Sequence, residues 1–279
     1  MCLTTDRLAA SNVHYFYYPL STAFREIAAA GYQNIAFFAG TPHFFVDSSG
    51  YSDCTVVKNL AKQNGLTIQV FHPELLSGRY SLCIKDPTWQ TASMSFFSHS
   101  LEAAAELGTR IVSIDIAGLL LDEPRKVVYE RCVRNLYVLA RRAEELGLTL
   151  ALATSVRDRP SCARTLWELK DILQAVSHPN LKAALSLPAM AEAGETIPQW
   201  FRDLGNNIVY IHFTDARPGA AQVWGQGTLP LSRTLRQIEA QGYPGLLGQF
   251  LDNERYQNTP ALADMENMAA ITTALAKME

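Results

Sequence analysis

The stretch Ala30-Gly31-Tyr32-Gln33-Asn34-Ile35-Ala36-Phe37-Phe38 reads as a helix end, a glycine and a short apolar strand. A glycine just past a helix takes the left-handed conformation that closes the last turn. The apolar run behind it suits a buried strand. The same phrase returns as Asn64-Gly65-Leu66-Thr67-Ile68-Gln69-Val70-Phe71, as Leu107-Gly108-Thr109-Arg110-Ile111-Val112-Ser113-Ile114 and as Leu146-Gly147-Leu148-Thr149-Leu150-Ala151-Leu152. A glycine-free version is His178-Pro179-Asn180-Leu181-Lys182-Ala183-Ala184-Leu185. The last two are Leu204-Gly205-Asn206-Asn207-Ile208, leading into Val209-Tyr210-Ile211-His212-Phe213-Thr214-Asp215, and Gln241-Gly242-Tyr243-Pro244-Gly245-Leu246-Leu247. Gly31 and Gly65 lie 34 positions apart (65 − 31), enough for one strand, one helix and two loops.

Between these phrases the apolar residues recur at three and four, as in Val128, Cys132, Leu136, Leu139 and Ala143. Capping residues and prolines predict helices over 23–30, Cys54–Gln63, 89–106, Arg125–Glu145, 162–176, 199–204, Leu231–Ala240 and 261–278. An apolar run over 13–18 supplies a first strand. Eight strands, each followed by a helix, predict a parallel sheet with helices outside it. Eight such units in this length make an α/β fold of the (β/α)8 TIM-barrel type, a single domain over residues 1–279. The competing doubly wound sheet lacks its phosphate turn, because no G-x-G-x-x-G follows the first strand.

Composition narrows the function. The chain is 48% hydrophobic and 18% charged, with a net charge of −3 and no basic stripe. Nucleic acid is therefore not an expected partner, since phosphate binding needs clustered Lys and Arg. Cys2, Cys54, Cys83, Cys132 and Cys162 are odd in number and scattered, which fits reduced thiols in a cytoplasmic protein. No apolar window is long enough to span a membrane.

In such a barrel the chemistry sits at the C-terminal strand ends. Those ends carry His43; His72-Pro73-Glu74; Asp115 between Ile114 and Ile116; His212 to Asp215, with Arg217 beyond; and Gln249. Polar groups at one mouth predict a polar-ligand pocket. His72 and Glu74, two apart, can pair as base and orienter or stand solvated at the rim. Asp115 among apolar neighbours suits either an acid of raised pKa or a loop cap. Arg217 suits a phosphate, a sugar hydroxyl or plain solvent exposure. Trp224, before Gly225-Gln226-Gly227, suits ligand stacking or loop packing.

Ala23-Phe24-Arg25 with Gly31-Tyr32, Gly40-Thr41-Pro42-His43-Phe44, Pro73-Glu74, Tyr210 to Asp215, Gly225-Gln226-Gly227, Pro230-Leu231 and Gly242-Tyr243-Pro244-Gly245 stand in a telling order. Together they resemble the xylose isomerase-like TIM barrels, a family of sugar and sugar-phosphate isomerases and epimerases. The resemblance implies one divalent metal (Mn, Mg, Co or Zn) held by Glu, Asp, His and Glu from four strand ends. The two glutamates also move the proton. Carried onto this chain, those positions fall on Ala153, Ser186, His212 and Gln249, so one ligand of the four remains. Hard divalent ions take anionic oxygens, and neither a methyl nor an amide cycles a proton. The expectation is therefore a divergent, non-catalytic relative without a metal cofactor, which keeps a pocket for a sugar or sugar phosphate. That pocket is expected to draw on His43, His72, Glu74, His212, Arg217, Trp224 and Gln249. The alternatives are an active isomerase or epimerase with a rebuilt site using His212, Glu74 or Asp115, or a metal held by other ligands. The family also implies a homo-oligomer.

Overall fold

The computed structural model of the chain describes residues 3–116, 118, 121–156, 160–217 and 220–278. Cys2 lies outside the described residues. Eight parallel strands close into a barrel. They are β1 (Leu8–Ala10), β2 (Asn34–Ala39), β3 (Thr67–Pro73), β4 (Ile111–Ile114), β5 (Thr149–Ala153), β6 (Leu181–Ser186), β7 (Ile208–His212) and β10 (Leu246–Gly248). A small antiparallel hairpin, β8 (Asp215–Arg217) with β9 (Ala220–Gln222), stands between β7 and β10. The helices are α1 (Leu20–Ala29), α2 (Cys54–Gln63), α3 (Pro87–Glu106), α4 (Arg125–Glu145), α5 (Leu166–Val176), α6 (Leu187–Glu192), α7 (Ile197–Leu204), α8 (Leu231–Ala240) and α9 (Pro260–Ala276). None of the described helices is long and apolar enough to cross a membrane.

The core has two shells. The large one lies between strands and helices and holds Phe24, Ile35, Phe37, Phe71, Leu136, Leu152 and Trp200. The small one fills the barrel with Ala9, Ala36, Val70, Ala151, Ala153, Ala184 and Tyr210. Short side chains on five strands make room for one large ring. The Tyr210 hydroxyl lies over Gly248, where a Cβ would fall inside its van der Waals shell. Any side chain at 248 would collide with that ring, so glycine is required here for space rather than for backbone conformation.

This filling explains a departure from the sequence reading. The run at 13–18 is not the first strand: β1 is Leu8–Ala10, and Val13–Tyr15 form a 3-10 turn beyond it. Ala9 on β1 is one of the small residues packed in the barrel with Tyr210. The rings of His14 and Tyr15 turn outward to the carboxylate of Asp264 on α9. A second departure concerns α5, which starts at Leu166 rather than at 162. Thr165 caps it by accepting from the Glu168 amide at 3.2 Å, while Ser161 caps a separate turn at Ala163. The six-residue α6, capped by Ser186, and the β8–β9 hairpin were not anticipated.

Candidate functional site

A cavity of about 210 Å³ opens at the C-terminal mouth of the barrel. Its lining includes Phe38, His72, Ser113, Asp115, Ala153, Thr154, Ser186, His212, Thr214, Phe250 and Asp252. Strand alternation places these side chains. On β7, Tyr210 points into the barrel, so His212 does too, one layer nearer the mouth. On β4, Ser113 pairs in register with the inward Ala151 and faces the same way. On β10, Gly248 faces Tyr210, so Phe250 is the next inward side chain and Gln249 points outward.

The floor of the cavity is a cluster of rings. The His72 and His212 centroids are 5.2 Å apart, and Phe250 lies 4.9 Å from His72 and 6.1 Å from His212. Behind each imidazole stands a hydroxyl. Ser113 Oγ is 3.1 Å from His212 Nε2, and the Tyr210 hydroxyl is 3.3 Å from His72 Nε2. Burial pushes the His212 pKa down to about 4. Burial, and then the neighbouring His212, hold His72 well below the usual histidine range. Both imidazoles are neutral at pH 7, because burial disfavours the charged form of each.

The structure brings only part of the expected residues to this cavity. His72, Asp115 and His212 line it, as do Ala153 and Ser186. The other expected residues do not line it. His43 is held at both ring nitrogens: Asn12 Nδ2 donates to its Nδ1 at 2.9 Å, and its Nε2 donates to the Tyr18 carbonyl at 2.8 Å. The Glu74 carboxylate accepts from the amide and hydroxyl of Ser77 and so closes the 74–78 turn. Arg217 is exposed on the hairpin. Trp224 is buried against Phe213 with ring centroids 4.7 Å apart. Asp215 is buried and accepts the backbone amides of Ala216, Gly225, Gly227 and Leu229, all within 3.0 Å, which shapes the loop after the hairpin.

Gln249 departs furthest from its expected place. It lies outside the barrel wall, where Tyr32 and Asn267 donate to its Oε1 at 2.6 Å each. Its Nε2 donates to Asp264 at 2.5 Å, and Asp264 also takes His14 and Tyr15. This buried network ties α9 to the turn that follows β1, to Tyr32 and to the residue after β10. The residue that faces the mouth from the last strand is Phe250. Alternation read from Gly248 would have found it, but nothing in the sequence said which face of that short strand was inward. Ser113 was missed because one serine in an apolar strand carries no signal until its partner is known.

These donors do not fit the divalent ion that the resemblance implies. The four inward positions carry a methyl, a hydroxyl that caps α6, an imidazole tied to Ser113, and a phenyl ring. A hard divalent ion prefers carboxylate oxygens. Among the described residues, no three His, Cys, Asp or Glu side chains stand close enough to share an ion.

The closed parallel strands define an α/β barrel with a cavity at its mouth. The chain belongs to the xylose isomerase-like TIM barrel family, whose model matches residues 24–270. Among proteins of known activity it is similar to the fructoselysine 3-epimerases of Escherichia coli O157:H7 and Shigella flexneri. Each is 27% identical over 252 residues, covering 88% of this chain and 89% of the relative. Among solved structures it is similar to 3-keto-D-glucoside 4-epimerase from E. coli, with a TM-score of 0.80, 16% identity and coverage of 96% of this chain and 99% of that one. It is also similar to D-psicose 3-epimerase from Clostridium cellulolyticum H10, solved with D-tagatose, with a TM-score of 0.76, 18% identity and coverage of 98% and 99%. At these identities the structural likeness is one of fold.

Proposed function

We propose that this barrel is a sugar-binding relative of the isomerases and epimerases that does not run their metal-dependent proton transfer. The observation that carries the reading is the pair of positions at the ends of β5 and β10, where Ala153 and Phe250 face the cavity. Neither side chain can hold a metal or exchange a proton. Loss of one positioned acid or base costs about 10²–10⁴ in rate, and here both are replaced together with the Lewis acid. What remains suits recognition: hydroxyl-bearing residues, two neutral imidazoles and the phenyl rings of Phe38 and Phe250 line the same cavity. A sugar offers both hydroxyl edges and apolar ring faces to such a lining.

The experiment is a thermal-shift panel of free ketoses, aldoses, sugar acids and sugar phosphates, run beside turnover assays on the same compounds. A ligand at a hundredfold its Kd stabilises the fold by about 2.7 kcal/mol. Stabilisation without turnover supports the reading, and a blank panel ends it. Asp115 and Asp252 at the same cavity favour a second reading, an isomerase or epimerase with rebuilt chemistry on a sugar or sugar phosphate. Ligand-dependent deuterium exchange from D2O at a carbon next to a carbonyl, lost in Asp115→Asn or Asp252→Asn, would establish it.

A further inference from the structure

Resting on the reading that the cavity takes a polar ligand, we propose that His72 and His212 form a two-donor site for one uncharged ligand oxygen. Each ring carries its proton on Nδ1. The two Nδ1–H groups hold and polarise a carbonyl or hydroxyl oxygen at the level of the barrel where the family resemblance places a metal.

The argument starts from the two hydroxyls behind the rings. Tyr210 is fully buried, and its hydroxyl has His72 Nε2 as its partner at 3.3 Å. Ser113 is 3% exposed, and its hydroxyl has His212 Nε2 as its partner at 3.1 Å. A buried hydroxyl that only accepted from Nε2 would leave its own hydrogen unsatisfied, which is the costly half of a lost hydrogen bond. Each hydroxyl therefore donates, and each Nε2 accepts. A neutral imidazole has one proton, so a ring that accepts at Nε2 carries it on Nδ1.

The second half of the argument is position. Both rings line the cavity with centroids 5.2 Å apart, and among the described residues neither Nδ1 has a protein partner. Two fixed donors bordering one small cavity stabilise charge developing on an oxygen without a metal, because the dipoles are already oriented and water is sparse. The two neutral imidazoles carry no formal charge, so the pair suits a ketone, aldehyde or hydroxyl oxygen. Ser113 and Tyr210 are positioning residues, acting through the imidazoles.

The test is 15N and 1H NMR of the whole protein with labelled histidine at pH 7, first free and then titrated with dihydroxyacetone, the smallest ketose. The expected result is a protonated Nδ1 and an unprotonated Nε2 for both His72 and His212, with both Nδ1–H protons moving downfield as dihydroxyacetone is added. Ser113→Ala should shift His212 alone toward a mixture of tautomers, and Tyr210→Phe should do the same for His72. A merely structural role for either hydroxyl would leave the tautomers in place, and the backbone amide spectrum confirms that each variant is folded. A protonated Nε2 on either ring of the parent, or no response to dihydroxyacetone at either Nδ1, overturns the proposal. The failures stay separate. A blank sugar panel with both Nδ1–H groups responding removes the proposed function and leaves the pair, whereas a ligand bound by a protein with Nε2–H rings removes the pair and leaves the pocket.

Discussion

Replacing Gln249 by Glu separates the two placements of that residue. At a metal position facing the cavity, the new carboxylate would be solvated and nearly harmless. In the structure it lies outside the barrel wall, and its Nε2 donates to Asp264 at 2.5 Å. A second carboxylate there has two choices. It can stay charged beside Asp264, which at 4 Å and an effective dielectric of about 20 costs about 4 kcal/mol. It can instead take a proton and donate it to Asp264 as the amide did. Protonating a group of ordinary pKa about 4.3 at pH 7 costs about 1.36 × 2.7, or about 3.7 kcal/mol, which caps the penalty. The sign follows from linkage. The folded state raises this glutamate's pKa, so it binds a proton that the unfolded chain releases above pH 4.3. Stability relative to the parent therefore falls as pH rises. The expected loss is about 3.7 kcal/mol at pH 7, about 1 kcal/mol at pH 5, and close to zero at pH 4.3. Urea denaturation of parent and variant at these three pH values measures it. A variant as stable as the parent at pH 7, or a loss that does not change with pH, would refute the buried placement of Gln249.

The parent has its own acid dependence. Burial lowers the His212 pKa from the ordinary histidine value of about 6.5 to about 4, so this ring's contribution is complete above pH 6.5 and is lost as pH falls to 4. The loss approaches about 3 kcal/mol, and His212→Phe should flatten it in denaturation curves taken between pH 7 and pH 4. Gly248→Ala should destabilise by about 3 kcal/mol or more, because the new methyl meets the buried Tyr210 ring in a filled barrel; a melting temperature within 2 °C of the parent would show that the ring can move aside. Rebuilding the family's ligand set should require Phe250→Glu with Ala153→Glu and Ser186→Asp, and Mn²⁺ at a hundredfold its Kd should then raise stability by about 2.7 kcal/mol. The triple variant built with Gln249→Glu instead should show no such response in the same thermal-shift assay.

The sequence by itself determined the barrel. Glycine after most helices, apolar runs of strand length and amphipathic helices between them are local signals, and seven repeats of one local phrase with one further strand have few ways to close. It also placed His72, Asp115, Ala153, Ser186 and His212 at strand ends, and the structure brings all five to one cavity. The tertiary structure decided which way each side chain faces. β10 has only three residues, too few for alternation to announce its inner face. That face is set by the Tyr210 ring lying over Gly248, a contact between residues 38 positions apart (248 − 210). The first strand is Leu8–Ala10, whose Ala9 packs in the barrel with Tyr210, and not the aromatic run beyond it. Gln249 needed partners from Tyr32, Asp264 and Asn267, and His212 needed Ser113 from a strand on the far side of the sheet order. Backbone pattern is written in neighbours along the chain, whereas side-chain chemistry depends on neighbours that closure of the barrel brings together.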